Sequence, residues 1–252
     1  MNDLLISLLV FAVIFGGALA GAAVRPLLSE QHLTSDSRDV VKMTTGLIGT
    51  LAALVLGLLI ATAKGAYDQK TSQVRQMTAT IILLDNLLAQ YGPEAVRLRT
   101  LLRQGIEPLA DRIWHEKHAP AGGSVRFEST AEASAFQNEL ERLSPGNDTQ
   151  RSLHSRAIQA FTEIAQTRLR LFTQTGGSIP VPFLIILVFW LSAIFVSFTL
   201  FAQTNPVVMT SLFVGALSFA AAIFLVLELG DPFAGLMGVS SATLRGALPL
   251  LQ

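Results

Sequence analysis

The apolar residues of this chain fall in long uninterrupted runs, and the polar segments between them repeat at helical spacing. Leu4 to Val24 and Met43 to Ala63 carry no charge, and Ser178 to Leu227 is uncharged throughout, punctuated only by Gln, Asn and Pro. A helix rising 1.5 Å per residue needs about 20 apolar residues to cross a ~30 Å hydrocarbon core. The pattern therefore predicts transmembrane helices over residues 4–24, 43–63, 180–201 and 207–228.

Between the second and third spans the pattern becomes amphipathic. Val74, Met77, Ile81, Leu84 and Leu88 share one face, so the second span is expected to continue outward as a helix from Tyr67 to Leu88. Gly92-Pro93 breaks it, and Pro93 suits a first helical turn. Leu98, Leu101, Leu102, Ile106, Leu109 and Ile113 then mark a helix up to Trp114, kinked or broken at Pro108. Residues 118–130 read as a loop, and a short helix over 131–143 precedes the turn Ser144-Pro145-Gly146-Asn147. Asp148 is placed to cap a long helix with the apolar face Leu153, Ile158, Phe161, Ile164 and Leu169. That helix returns to the membrane at Thr175-Gly176-Gly177, where Ser178 and Pro180 open the third span.

The expected fold class is all-α: four transmembrane helices with a helical cytoplasmic bundle inserted between the second and third spans. Its expected parts are membrane helices over 1–63, the bundle over 64–178, membrane helices over 179–228 and a C-terminal clasp over 229–252.

Composition agrees. Only 14% of the 252 residues are charged and 51% are hydrophobic, against about 25% charged in soluble domains. Zero net charge leaves no nucleic-acid footprint, and the absence of Cys excludes disulfides and thiolate chemistry. Ala18-Leu19-Ala20 offers a small-residue cleavage site, yet the n-region holds Asp3 and no Lys or Arg, so the first span reads as a permanent helix. Lys64, Lys70, Arg75, Arg168, Arg170 and Arg245 lie near the membrane on one side; Arg25, Arg38 and Lys42 lie on the other. That bias places segment 64–178 and both termini of a multi-pass protein in the cytoplasm.

Candidate chemistry is concentrated in two places. In the second span, Gly46, Thr50, Ala53, Gly57 and Ala61 form a small-residue stripe beside Leu47, Leu51, Leu54, Leu58 and Thr62. Such a stripe either lets another helix approach closely or rings a pore, which Leu side chains would gate by excluding water. No ionisable residue lies within the first two spans, which argues against a proton relay. After the fourth span, Pro232 forces a turn and Phe233 is placed to return its ring to the apolar interface. Glu228 and Asp231 would accept hydrogen bonds from helix N-termini or pair with Arg168 or Arg170. The four residues read as a structural clasp, with an ion site at Glu228 and Asp231 as the alternative.

Other chemistry is missing. His115-Glu116-Lys117-His118 supplies two His without further ligands and lacks zincin spacing. There is no phosphate loop, no G-x-S-x-G and no carboxylate pair in an apolar setting. No metal, no cofactor and no enzymatic activity are expected.

The order of elements, together with Leu83-Leu84-Asp85, Tyr91-Gly92-Pro93-Glu94-Ala95, Arg112-Ile113-Trp114, Phe189-Trp190-Leu191, Leu227-Glu228-Leu229 and Asp231-Pro232-Phe233, resembles the bacterial bestrophin-like domain family, distant relatives of bestrophin channels. The resemblance covers nearly the whole chain. Val55-Leu56-Gly57 matches the bestrophin neck motif, which makes Thr50, Leu54 and Leu58 neck positions and, with Thr62, the candidate pore-lining residues. Ala234 to Gly238 lacks the acidic run of calcium-gated members, so calcium gating is not implied. The resemblance implies a homo-oligomer in the lipid bilayer, pentameric by analogy, that conducts small monovalent inorganic ions through a pore lined by the second span. The bundle would be either a shared vestibule or a self-contained cap. The rival expectation is a non-conducting membrane scaffold or sensor that recruits a partner through the bundle.

Overall fold

Uninterrupted apolar runs and strict helical periodicity leave the backbone little alternative to helix, and the computed structural model contains no strand among its described residues, 3–27, 35–115, 131–173, 181–202, 205–230, 233 and 236–246. The helices are α1 (Asp3–Val24), α2 (Ser35–Tyr91), α3 (Val96–His115), α4 (Ala131–Arg142), α5 (Asp148–Thr173), α6 (Val181–Phe201), α7 (Pro206–Gly230) and the short α8 (Ala242–Arg245), with 3-10 turns at Arg25–Leu27 and Pro93–Ala95. By length and composition, α1, α2, α6 and α7 are each able to cross a membrane. The 118–130 loop, the turn into the third span, Asp231 and Pro232 lie outside the described residues, as do Glu116, Lys117 and His118.

The chain divides into two units, residues 1–67 with 178–231, and residues 68–177 with 232–252; α2 contributes to both. In the first unit α1 packs against α6 and α7, burying Ile14, Ala18, Leu187, Leu191, Ala216 and Ile223. Phe11 and Phe15 stack on α1, and each meets Phe213 of α7 edge-on, with centroids 5.3 and 5.5 Å away. The close approach is at Gly21. A Cβ there would stand 2.2 Å from Thr199 Oγ1 and 2.8 Å from the backbone oxygen of Val196 on α6. Rotating Thr199 removes only the first overlap, so Gly21→Ala must push two helices apart. We expect a loss of about 1–3 kcal/mol, the usual cost of overpacking, seen as a lower thermal midpoint in detergent. Gly16→Ala is the control, because a Cβ at Gly16 meets nothing within 4 Å.

In the second unit the stripe Val74, Met77, Ile81, Leu84 and Leu88 of α2 is buried as its periodicity predicts. Gly92, at φ 125°, ends α2 in a conformation that only glycine adopts freely, and Pro93 opens the following 3-10 turn. α3 is helical through Pro108. Two details differ from the sequence expectation. The N-cap of α5 is Asn147, whose Oδ1 accepts the Gln150 N–H at 2.8 Å; Asp148 is the first helical residue and pairs with Arg151. The buried stripe of α5 is Leu153, Ala157, Ala160, Thr167 and Leu171, whereas Ile158 and Leu169 are exposed. Ile158 sits one residue off the stripe, about 100° around the helix, and Leu169 two residues off, about 200° around it. α4 returns antiparallel to α5: a His154 ring nitrogen bonds Leu140 O at 2.8 Å, and the Phe136 and Phe161 rings stack at 5.0 Å. Between α2 and α3 lies a bidentate ion pair, Arg99 Nε to Asp85 Oδ1 at 2.9 Å and Arg99 Nη2 to Asp85 Oδ2 at 2.8 Å. The Asp85 carboxylate bonded to it raises the Arg99 guanidinium above its ordinary pKa.

Candidate functional site

Within the first unit α2 has two faces of different character. Ala52, Leu59 and Ala63 are buried, with Ile48, Val55, Leu56 and Ile60 packed beside them in the core of that unit. The other face is open. Leu54 and Leu58 are 71% and 59% exposed, and Thr50 and Thr62 are exposed one turn to either side. All four candidate pore-lining residues thus share one uncovered face, since the spacing 50, 54, 58, 62 returns to the same side of a helix every four residues.

That face also carries Gly46 and Gly57, and a Cβ at either would meet no atom within 4 Å. Among the described residues no helix is packed on the stripe at these glycines. Glycine inside a helix costs about 1 kcal/mol relative to Ala, and here no close contact among the described residues offsets it. The hydroxyls of Thr50 and Thr62 donate to their own helix, to Leu47 O at 2.7 Å and Leu58 O at 2.8 Å, so each donor is internally satisfied. Chemically the face is a ladder of isobutyl groups and small residues with no charge between Lys42 and Lys64.

The clasp residues divide between the two units. Glu228, on the last turns of α7, is 4% exposed in the first. Phe233 is 9% exposed in the second, where its ring meets Trp114 of α3 edge-on at 5.5 Å. Trp114 Nε1 donates to Val239 O at 2.6 Å. Arg245 of α8 reaches Asp111 at 2.9 Å and Glu107 at 3.3 Å, two acids one turn apart on α3. The C-terminal segment is therefore held along the end of α3 by a ring, an indole hydrogen bond and a cation between two carboxylates. The sequence reading returns the Phe233 ring to the apolar interface and does not include Trp114, against which the ring lies, or Glu107 and Asp111, which hold Arg245; for the last two the acidic pair at i and i+4 was the available signal. Lys70, counted among the membrane-proximal cations, is buried.

Trp114→Phe keeps the edge contact and deletes the hydrogen bond. The expected cost is about 1 kcal/mol, enough to open the segment locally about fivefold more often. Trypsin cleavage after Arg245 is the readout; an unchanged cleavage rate would remove the indole from the clasp.

Among the described residues no group of three or more His, Cys, Asp or Glu is placed to hold a metal ion.

A Bestrophin-like domain is matched over residues 12–244 of the chain. No curated protein matches it at a significant level. Among solved structures, the crystal structure of a bacterial bestrophin homologue from Klebsiella pneumoniae, carrying one point mutation, is similar over 97% of this chain and 97% of that one, with a TM-score of 0.69 and 15% sequence identity. At that identity the likeness is one of fold.

Proposed function

The chain belongs to the Bestrophin-like family, and from that premise we propose that it is a homo-oligomeric ion channel whose α2 helices line a common pore. The supporting observation is the open face of α2. A helix that buries one side in its own unit and leaves a Gly-, Thr- and Leu-bearing side uncovered has the composition of a surface that other copies approach closely around a narrow lumen. Leu54 and Leu58 would form its two tightest rings, flanked by Thr50 and Thr62. Subunit number is taken as five by family analogy, and the conducted species as small monovalent ions.

In this reading the protein spans the inner membrane with its N-terminus, second unit and C-terminus in the cytoplasm, and it acts without a reacting group, as a conduit rather than an enzyme. The helical bundle between the second and third spans extends the pore as a vestibule. Exposed large apolar side chains of the second unit are aliphatic among the described residues, Leu83, Val96, Ile158, Leu169, Leu236 and Met237.

The test is reconstitution of purified protein into liposomes, with chloride and potassium flux measured separately. Selective flux supports the proposal. Silence from folded, oligomeric protein would transfer the assignment to the scaffold.

A further inference from the structure

The second unit contains an apolar pocket of about 90 Å³ between α2, α3, α4 and α5. Its lining includes Ile81, Gly105, Phe136 and Phe161. Two independent facts mark it. Gly105 lies in the interior of α3, where glycine costs about 1 kcal/mol relative to Ala, and a Cβ there would meet no atom within 4 Å. The missing side chain is what keeps the space open.

The second fact is the polar end. In the antiparallel α4–α5 hairpin, Leu140 lies beside His154 and Phe136 beside Phe161. From that pair Glu132 lies about one turn further along α4 and Arg168 about two turns further along α5, in the same direction, so the two ionisable groups that line the pocket lie toward one end of the hairpin. A carboxylate and a guanidinium there sum to zero charge. A cationic ligand head is attracted by the first and repelled by the second; an anionic head meets the reverse. A hydroxyl suits both, donating to the carboxylate and accepting from the guanidinium. The volume is of the order of the ~150 Å³ apolar cavity that takes benzene, and its walls give water too few polar partners to be filled well.

We propose that this pocket binds a small neutral ring compound with one hydroxyl, a phenol or cyclic alcohol. The ring lies over Gly105 between Ile81 and the Phe136–Phe161 pair, and the hydroxyl lies at Glu132 and Arg168. This site is independent of conduction and stands whether or not the protein is a channel.

The test uses the full chain in lipid nanodiscs, with phenol as probe and benzoate and benzylamine as charged comparisons, read by saturation-transfer NMR. Phenol also partitions into lipid, so every signal is taken relative to Gly105→Leu in the same discs. Expected are saturable phenol binding to the wild type, at least tenfold weaker binding of both charged probes, and loss of the signal in Gly105→Leu. Should that variant fail to fold, Gly105→Ala serves, since its methyl group enters open space; it should retain the wild-type thermal midpoint and weaken phenol several-fold. No saturable phenol binding, binding unchanged in the folded Gly105 variant, or benzoate bound as tightly as phenol would each overturn the proposal.

Discussion

Leu58→Ala should raise ion flux through the reconstituted protein about tenfold, and Leu54→Ala should act in the same direction. In the proposed pore these two side chains form consecutive isobutyl rings one turn, ~6 Å, apart. The rings above and below are Thr50 and Thr62, whose oxygens lend some polarity to the lumen. The driest and narrowest stretch therefore falls at Leu54 and Leu58, where an ion sheds water without gaining ligands. Truncation to Ala widens each ring and readmits water; a barrier lower by only ~1.4 kcal/mol already corresponds to tenfold in rate.

Two substitutions give that measurement its meaning. Phe189→Ala removes an exposed side chain from α6 and should leave flux unchanged, since that position faces lipid in the proposed arrangement. Leu59→Ala removes a buried side chain adjacent in sequence to the gate. It should cost stability by about 2–5 kcal/mol, the range for core Leu→Ala, without a matching gain in flux. If Leu54→Ala and Leu58→Ala conduct no better than the wild type, the open face of α2 is not the gate.

What the sequence makes legible follows from how local the physics is. The stripe from Val74 to Leu88 is read correctly because each apolar side chain in it faces the core and the period is unbroken. The α5 stripe is read less well because size misleads: Ala157 and Ala160 are the residues in close contact, while the larger Ile158 and Leu169 are turned outward. Glycine shows the same limit. Gly46 and Gly57 on α2 and Gly17 and Gly21 on α1 are alike as letters, yet Gly21 is pressed against α6 and Gly57 faces open space. Only the position of a second helix distinguishes close packing from vacancy, and that information is tertiary. The clasp fails to be legible for the same reason. Phe233 is expected at the apolar interface from its place after a proline, but its contact with Trp114, the Trp114–Val239 hydrogen bond and the Arg245–Asp111 pair join residues more than a hundred positions apart.

Arg99→Met should lower stability by about 3–5 kcal/mol, near 10 °C in thermal midpoint for a chain of this size. Asp85 is 2% exposed, so its carboxylate has no access to bulk water, and both of its oxygens are bonded by the Arg99 guanidinium. Removing the cation leaves a buried charge without its strongest partner, and the full desolvation penalty appears. The pair itself is a different quantity. Two ions brought out of water recover in mutual attraction roughly what they lose in hydration, so the double variant Asp85→Leu with Arg99→Met should regain most of the loss. Thermal unfolding of the wild type, the single variant and the double variant in one detergent separates the two terms. A double variant no more stable than Arg99→Met would show that the pair holds the junction of α2 and α3 by its own geometry, not merely by neutralising Asp85. A single variant as stable as the wild type would mean that Asp85 takes up a proton or finds water at no cost, and the buried pair would then contribute nothing to the fold.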